Sequence, residues 1–265
     1  MKKITALFIT ALAFTYAYAQ KLPNKQETSV RIPANVKIDG KADEWGNKFE
    51  ARNYTTDLYY TMANNNEDLY LIIQTKDKYA FKKIIDRGLT LSVNSPKGGK
   101  DLNFTFPYNA GRKDISLSLK GNTIYMTRTV SDNDVADNNK ILGQNHKLIK
   151  VEGVEGVDSL VSVYNEIGLQ AAELIDDSKA YTLEMAVKLK LLGLASNDGR
   201  KISYKIKVNA IGSKAPTLDN VFMVGPAGKT EIPPEMRAQA MADVTEKWVK
   251  MDGGTELQGE YTLVK

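Results

Sequence analysis

The chain has 265 residues, 36 Lys and Arg against 32 Asp and Glu for a formal charge of +4, and no Cys. So even a balance argues against a nucleic-acid partner, whose phosphates need a concentrated basic face. The lack of Cys excludes a disulfide framework, and a chain this long buries a core without such staples.

Residues 1–19 read as a secretory signal. Lys2 and Lys3 form a basic start, Ile4 to Phe14 an apolar run, and Ala17-Tyr18-Ala19 an A-x-A exit before Gln20. The apolar run is too short for a membrane span. The expectation is an exported protein, periplasmic or extracellular. Residues 20–35 are polar, carry Pro23 and Pro33, and read as an N-terminal arm ending in a short edge segment. One domain is expected over 36–265.

Val36 to Gly46 (VKIDGKADEWG) reads as a short strand, an Asp39-Gly40 turn and a brief helical turn seating Trp45. Asp-Gly is strong turn chemistry because Gly takes the positive φ. A Trp after such a turn reads as a core plug. Asp57 to Met62 and Asp68 to Lys76 read as strands; in the second, Leu69, Leu71 and Ile73 fill one face while Tyr70 and Ile72 leave the other apolar. That pattern belongs to a central strand covered on both sides.

Phe81, Ile84 and Ile85 have helical spacing, closed by Gly88. Leu89 to Asn94 and Leu102 to Phe106 alternate about a Pro96-Lys97-Gly98-Gly99 turn and read as a hairpin. Ile115, Leu117 and Leu119 repeat the strand pattern more weakly, Ser131 to Lys140 reads as a polar loop, and His146 to Val151 as a strand. Tyr181 to Lys190 and Lys201 to Val208 alternate most clearly, each with one expected wet face. Pro234 starts a helix whose stripe is Met236, Ala240, Met241, Val244 and Trp248, and Leu257 to Leu263 closes the chain as a strand. The fold class is all-β: an antiparallel β-sandwich (jelly-roll or immunoglobulin-like) with short helices and one C-terminal helix packed on it.

Three blocks carry a resemblance. Lys37 to Trp45 matches an opening I-D-G-x-x-D-E-W, Asn66 to Leu71 with Asp77 a strand-then-Asp block, and Tyr181 to Val187, ending at Leu192-Gly193, a Y-x-x-E-x-A strand. In this order they resemble the family 9 carbohydrate-binding modules and the broader DOMON-like β-sandwiches. The resemblance implies a non-catalytic module binding a polysaccharide or oligosaccharide. Departures are visible: Lys188 replaces the family's Pro, and Arg87 to Asn94 lacks the carboxylates of its acidic strand. Neither Trp45 nor Trp248 can be carried over as a sugar clamp. Two alternatives stay open, an accessory domain with an exported protein partner and a haem-binding DOMON-like domain.

Catalytic signals are lacking. No G-x-S-x-G or H-E-x-x-H motif occurs, Asp176-Asp177 sits in a turn, and the sole His, His146, reads as solvated or structural. Asp132, Asp134 and Asp137 are a weak calcium candidate on the expected polar loop, although Ala136 breaks the EF-hand pattern. No other cofactor is expected. A sugar needs a flat apolar platform with polar groups around it. The candidates for that role are Tyr79 and Tyr108, with Asn109 and Arg112 beside the latter.

Overall fold

The computed structural model describes residues 21–96, 98–111, 113–120, 132–195, 199–217, 223–225 and 228–265. The expected signal at 1–19 and the candidate Arg112 lie outside them.

In chain order the strands are β1 (Val30–Arg31), β2 (Ala51–Asn53), β3 (Leu58–Asn64), β4 (Asp68–Thr75), β5 (Leu89–Val93), β6 (Leu102–Phe106) and β7 (Leu148–Glu152). They continue with β8 (Leu160–Ser162), β9 (Leu169–Ile175), β10 (Tyr181–Lys188), β11 (Lys201–Val208), β12 (Met223–Gly225), β13 (Gly228–Thr230) and β14 (Thr255–Thr262). The helices are α1 (Lys78–Arg87), α2 (Asp132–Asn145) and α3 (Arg237–Asp252). The first sheet runs β1-β3-β4-β10-β9 with β2 also on β3, and the second runs β14-β11-β5-β6-β7-β8. Every pairing within these sheets is antiparallel except β1 with β3. β12 and β13 form a separate hairpin.

The main core lies between the sheets. Tyr60, Met62, Leu71, Ile73, Leu183 and Met185 of the first are fully buried, as are Leu91, Phe104, Ile206 and Val208 of the second. Burying each large side chain stabilises the fold by roughly 2 kcal/mol. The hydroxyls of Tyr60 and Tyr204 meet at 3.2 Å across the sandwich. The Gln26 backbone N–H, from the arm, donates to the Tyr60 hydroxyl at 2.9 Å, which satisfies a polar group the core could not otherwise hold.

A second, smaller core lies outside the first sheet. There the arm and the opening motif place Ile32, Ala42, Phe49 and Trp45 over Ala63, Tyr70, Ile72 and Ala186. This explains the apolar second face of β4. It also corrects the expected wet face of β10: Thr182 and Glu184 are buried because the N-terminal segment covers them. β11, with the same alternation, keeps Lys201, Ser203 and Lys207 exposed.

Other local expectations change. Ile115 to Ser118 is a short 3-10 turn rather than a strand, tied down where Ser116 caps onto Asp86. The Ser116 N–H donates to Asp86 Oδ1 at 2.8 Å and its hydroxyl to Asp86 Oδ2 at 2.6 Å. The polar stretch after Ser131 is the start of α2, not a loop. α3 lies along α1 with its apolar stripe only half-buried, and none of its residues is fully buried. Among the described residues, no helix is long and apolar enough to cross a membrane.

Candidate functional site

The three sequence blocks converge on one cluster under the arm. Glu184, at the middle of β10, accepts the N–H of Asp39 at 2.8 Å and that of Gly40 at 2.6 Å on one oxygen. Its other oxygen accepts the Tyr70 hydroxyl. The Trp45 indole N–H donates to that hydroxyl at 3.3 Å, and the two rings stack at 5.2 Å and 17°. Gly40 has a φ of +84, and a Cβ there would stand 2.5 Å from the Glu173 backbone carbonyl carbon. Burial pushes the Glu184 carboxyl up to about 7 against the opposing pull of those hydrogen bonds. Burial also drives the Tyr70 phenol well above its ordinary value. These groups are bonded to one another, so the cluster clamps the opening motif onto β4 and β10.

Two buried constellations look catalytic by residue type. His146 Nδ1 meets Glu173 Oε1, and the Tyr181 hydroxyl donates to Glu173 Oε2 at 2.5 Å. Of the two expected roles, solvated or structural, the structure gives His146 the structural one, 4% exposed. It follows directly on the last residue of α2, and its backbone N–H donates to Leu142 O. Lys82 Nζ lies 2.7 Å from both Asp86 Oδ2 and Ser116 Oγ. An ammonium ion-paired in this way has no lone pair with which to activate the serine. Ser116, Lys82 and Asp86 are all at most 7% exposed, which puts them out of substrate reach.

The calcium candidates do not converge. Asp132, Asp134 and Asp137 all fall within α2; Asp134 and Asp137, three apart, are helix neighbours, but two carboxylates fall well short of the roughly six to eight oxygens calcium takes. Asp137 is instead ion-paired with Lys120 at 2.5 Å. Among the described residues, no group of three or more His, Asp or Glu is arranged to hold a metal.

Among the described residues, two open grooves of about 910 Å³ or more lie one on each sheet. The first, about 960 Å³, is the part of the first sheet's outer face that the arm leaves bare. Its floor includes Tyr59 and Gln74, cross-strand partners on β3 and β4, with the Gln74 amide donating to the buried Thr182 Oγ1 at 3.0 Å. Phe49 tilts against Tyr59 at 6.0 Å, and the Arg52 guanidinium lies between the rings of Tyr54 and Tyr59, 4.8 and 5.0 Å from their centroids. Leu22 and Pro23 of the arm supply an apolar wall, and Thr28, Glu50, Asp57 and Asp77 a polar rim. Partial burial and the neighbouring Asp77 charge raise the Asp57 carboxyl above its ordinary range. Asp77 Oδ1 is occupied as the cap of α1, accepting the N–H of Tyr79 at 2.9 Å and of Ala80 at 2.7 Å.

The second groove, about 910 Å³, is the outer face of the second sheet. Its floor is polar, with Thr90, Ser92, Asn103 and Thr105, and Tyr108 stands at one end.

These grooves separate the candidate sugar residues. Tyr79 sits in the first turn of α1 with Lys78 Nζ 4.8 Å from its ring centroid; it borders the first groove through Asp77 but does not line it. Tyr108 lines the second groove. The Asn109 amide turns back to donate to Lys113 O at 2.7 Å. Tyr59, Phe49 and Arg52 carried no loop or motif signal in the sequence. Tyr59 reads as one position of a strand, and the exposure of its ring depends on how the N-terminal segment lies over the sheet.

No protein-family model matches the chain, and no curated protein matches it. Among solved structures, one similar chain is a Bacteroides uniformis protein described, provisionally, as carbohydrate-binding. The identity is 10%, over 68% of this chain and 82% of that one, with a TM-score of 0.34. A likeness at that level transfers neither a site nor a ligand.

Proposed function

We propose that the protein is an exported, non-catalytic carbohydrate-binding protein that takes a saccharide in the groove at Tyr59. The observation carrying this reading is the composition of that floor. A Tyr ring packed by Phe49 sits beside a primary amide and a row of hydroxyl and carboxylate acceptors. A pyranose presents the complementary pair, an apolar face and equatorial hydroxyls. Arg52, within 5.0 Å of the ring centroids of both Tyr54 and Tyr59, extends the platform and brings N–H donors to it. Binding rather than hydrolysis is favoured because Asp77, the carboxylate beside Asp57, has one oxygen committed to the α1 cap. A pair of carboxyls free to act as acid and base is what a glycosidase needs.

The test is a glycan-array screen of the mature 20–265 chain alongside Tyr59→Ala. A saturable neutral-glycan signal that falls at least tenfold in Tyr59→Ala, with the melting temperature nearly kept, is the expected result. A silent array from folded protein, or a signal indifferent to Tyr59→Ala, contradicts it.

A further inference from the structure

The outer face of the second sheet differs from the first groove in chemistry. Register places Lys207, Thr90, Thr105 and Lys150 in one row across β11, β5, β6 and β7. Lys205, Ser92, Asn103 and Glu152 form the adjacent row. Both rows point away from the core, since the alternate residues Leu91, Phe104 and Ile206 are fully buried. Ser92 and Thr105 are nonetheless under a tenth exposed. They are the bottom of a trough whose walls are the longer side chains on either side.

Those walls are cationic. Arg87, Lys100, Lys150, Lys205 and Lys207 line the trough against Asp101, Glu152 and Glu256. Lys150 pairs with Glu152 at 2.8 Å and Lys205 with Glu256 at a loose 3.8 Å, and Arg87 pairs with Asp114 at 2.7 Å. Among the described residues, Lys207 and Lys100 have no carboxylate partner. Neighbouring strands are about 4.8 Å apart, so the row from Lys207 to Lys150 spans three strand spacings, roughly 14 Å. That is room for two to three sugar rings. The floor in between offers hydroxyls and an amide, groups that exchange hydrogen bonds with sugar hydroxyls.

We propose that this face binds an anionic polysaccharide lying across β11, β5, β6 and β7. Its carboxylate or sulfate groups meet Lys205, Lys207 and Lys150, and its hydroxyls meet Thr90, Ser92, Asn103 and Thr105. Charge complementarity selects the ligand, and the interspersed Glu152 and Glu256 disfavour a uniformly dense polyphosphate. Tyr108, with Lys150 Nζ 6.0 Å from its ring centroid, closes one end. The surface is separate from the Tyr59 groove and does not depend on it.

The test is isothermal titration of the mature chain with polygalacturonate oligomers, with a sulfated glycosaminoglycan, with neutral oligomers of matched length and with single-stranded DNA. Wild type, Lys205→Gln/Lys207→Gln and Tyr59→Ala are compared at low and at high salt. One of the two acidic glycans binds, which tells carboxylate from sulfate recognition. That affinity drops at least tenfold in the lysine double variant and weakens with salt, while Tyr59→Ala leaves it unchanged. The proposal is overturned if neither acidic glycan binds at low salt or if the double variant binds as wild type. It is equally overturned if neutral oligomers or DNA bind this face as tightly. Loss of acidic-glycan binding in Tyr59→Ala alone would instead assign that binding to the first groove.

Discussion

β10 and β11 carry the same alternation in sequence and end in opposite environments. Both turn apolar residues into the sandwich, but the outer face of β10 is sealed by the N-terminal segment while that of β11 meets solvent. The difference lies in what arrives from elsewhere in the chain. Over β10 the Asp39-Gly40 turn finds a carboxylate for its two amides and Trp45 finds Tyr70. Among the described residues no segment docks over β11, and Lys201, Ser203 and Lys207 stay exposed. A motif that stands out in the sequence is thereby a clamp, while the proposed ligand surfaces lie outside it.

The sharpest way to break this contrast is at Gly40. An alanine there meets the Glu173 backbone carbonyl carbon at 2.5 Å and inherits a positive φ. The expected cost in urea unfolding is about 4 kcal/mol or failure to fold. Tolerance of Gly40→Ala would mean that the arm is not tightly docked. Next comes Glu184→Ala, which strands two buried N–H groups and the Tyr70 hydroxyl. It is expected to cost about 3 kcal/mol. Lys205→Ala, on the corresponding face of β11, stays within about 0.5 kcal/mol. Equal costs for the two would erase the distinction between the faces.

A smaller effect tests the clamp's protonation. The Glu184 carboxyl is raised in the folded chain to about 7 from an ordinary 4.5. Between those values the folded chain holds a proton that the unfolded chain has released. The resulting stability is full below about 4.5 and is lost as the pH rises through about 7, by at most about 1.4 kcal/mol per pH unit. Wild type minus Glu184→Gln, followed by urea unfolding from pH 4 to 8, isolates this slope. A flat difference would show that folding leaves the pKa of this carboxyl unshifted.

The sandwich itself was legible because period-two alternation records which side of a strand meets the main core. The β5–β6 hairpin, β11 and the two covered faces of β4 follow from it directly. The edge strands β8 and β9 left no comparable trace, since their exposed positions mix freely. The sealed face of β10 was written less plainly, in a lone Glu184 beside an apolar Ala186 where β11 has Lys205 and Lys207. The candidate site was less legible still. Tyr108 could be picked out as a loop aromatic, and the structure sets it at a groove. Tyr59 could not, because its exposure depends on how the N-terminal segment, residues 21–49, lies over the sheet, a contact no local pattern encodes.

The central claim is that the clamp holds the opening motif and the groove beside it takes the sugar. Amide chemical-shift mapping of the mature chain, titrated with the strongest neutral glycan from the array, tests both halves at once. The account predicts shifts centred on Arg52, Tyr59, Gln74 and Asp77, with Asp39, Gly40 and Glu184 still. Shifts centred on the Trp45–Tyr70–Glu184 cluster, or on the second sheet, would contradict it.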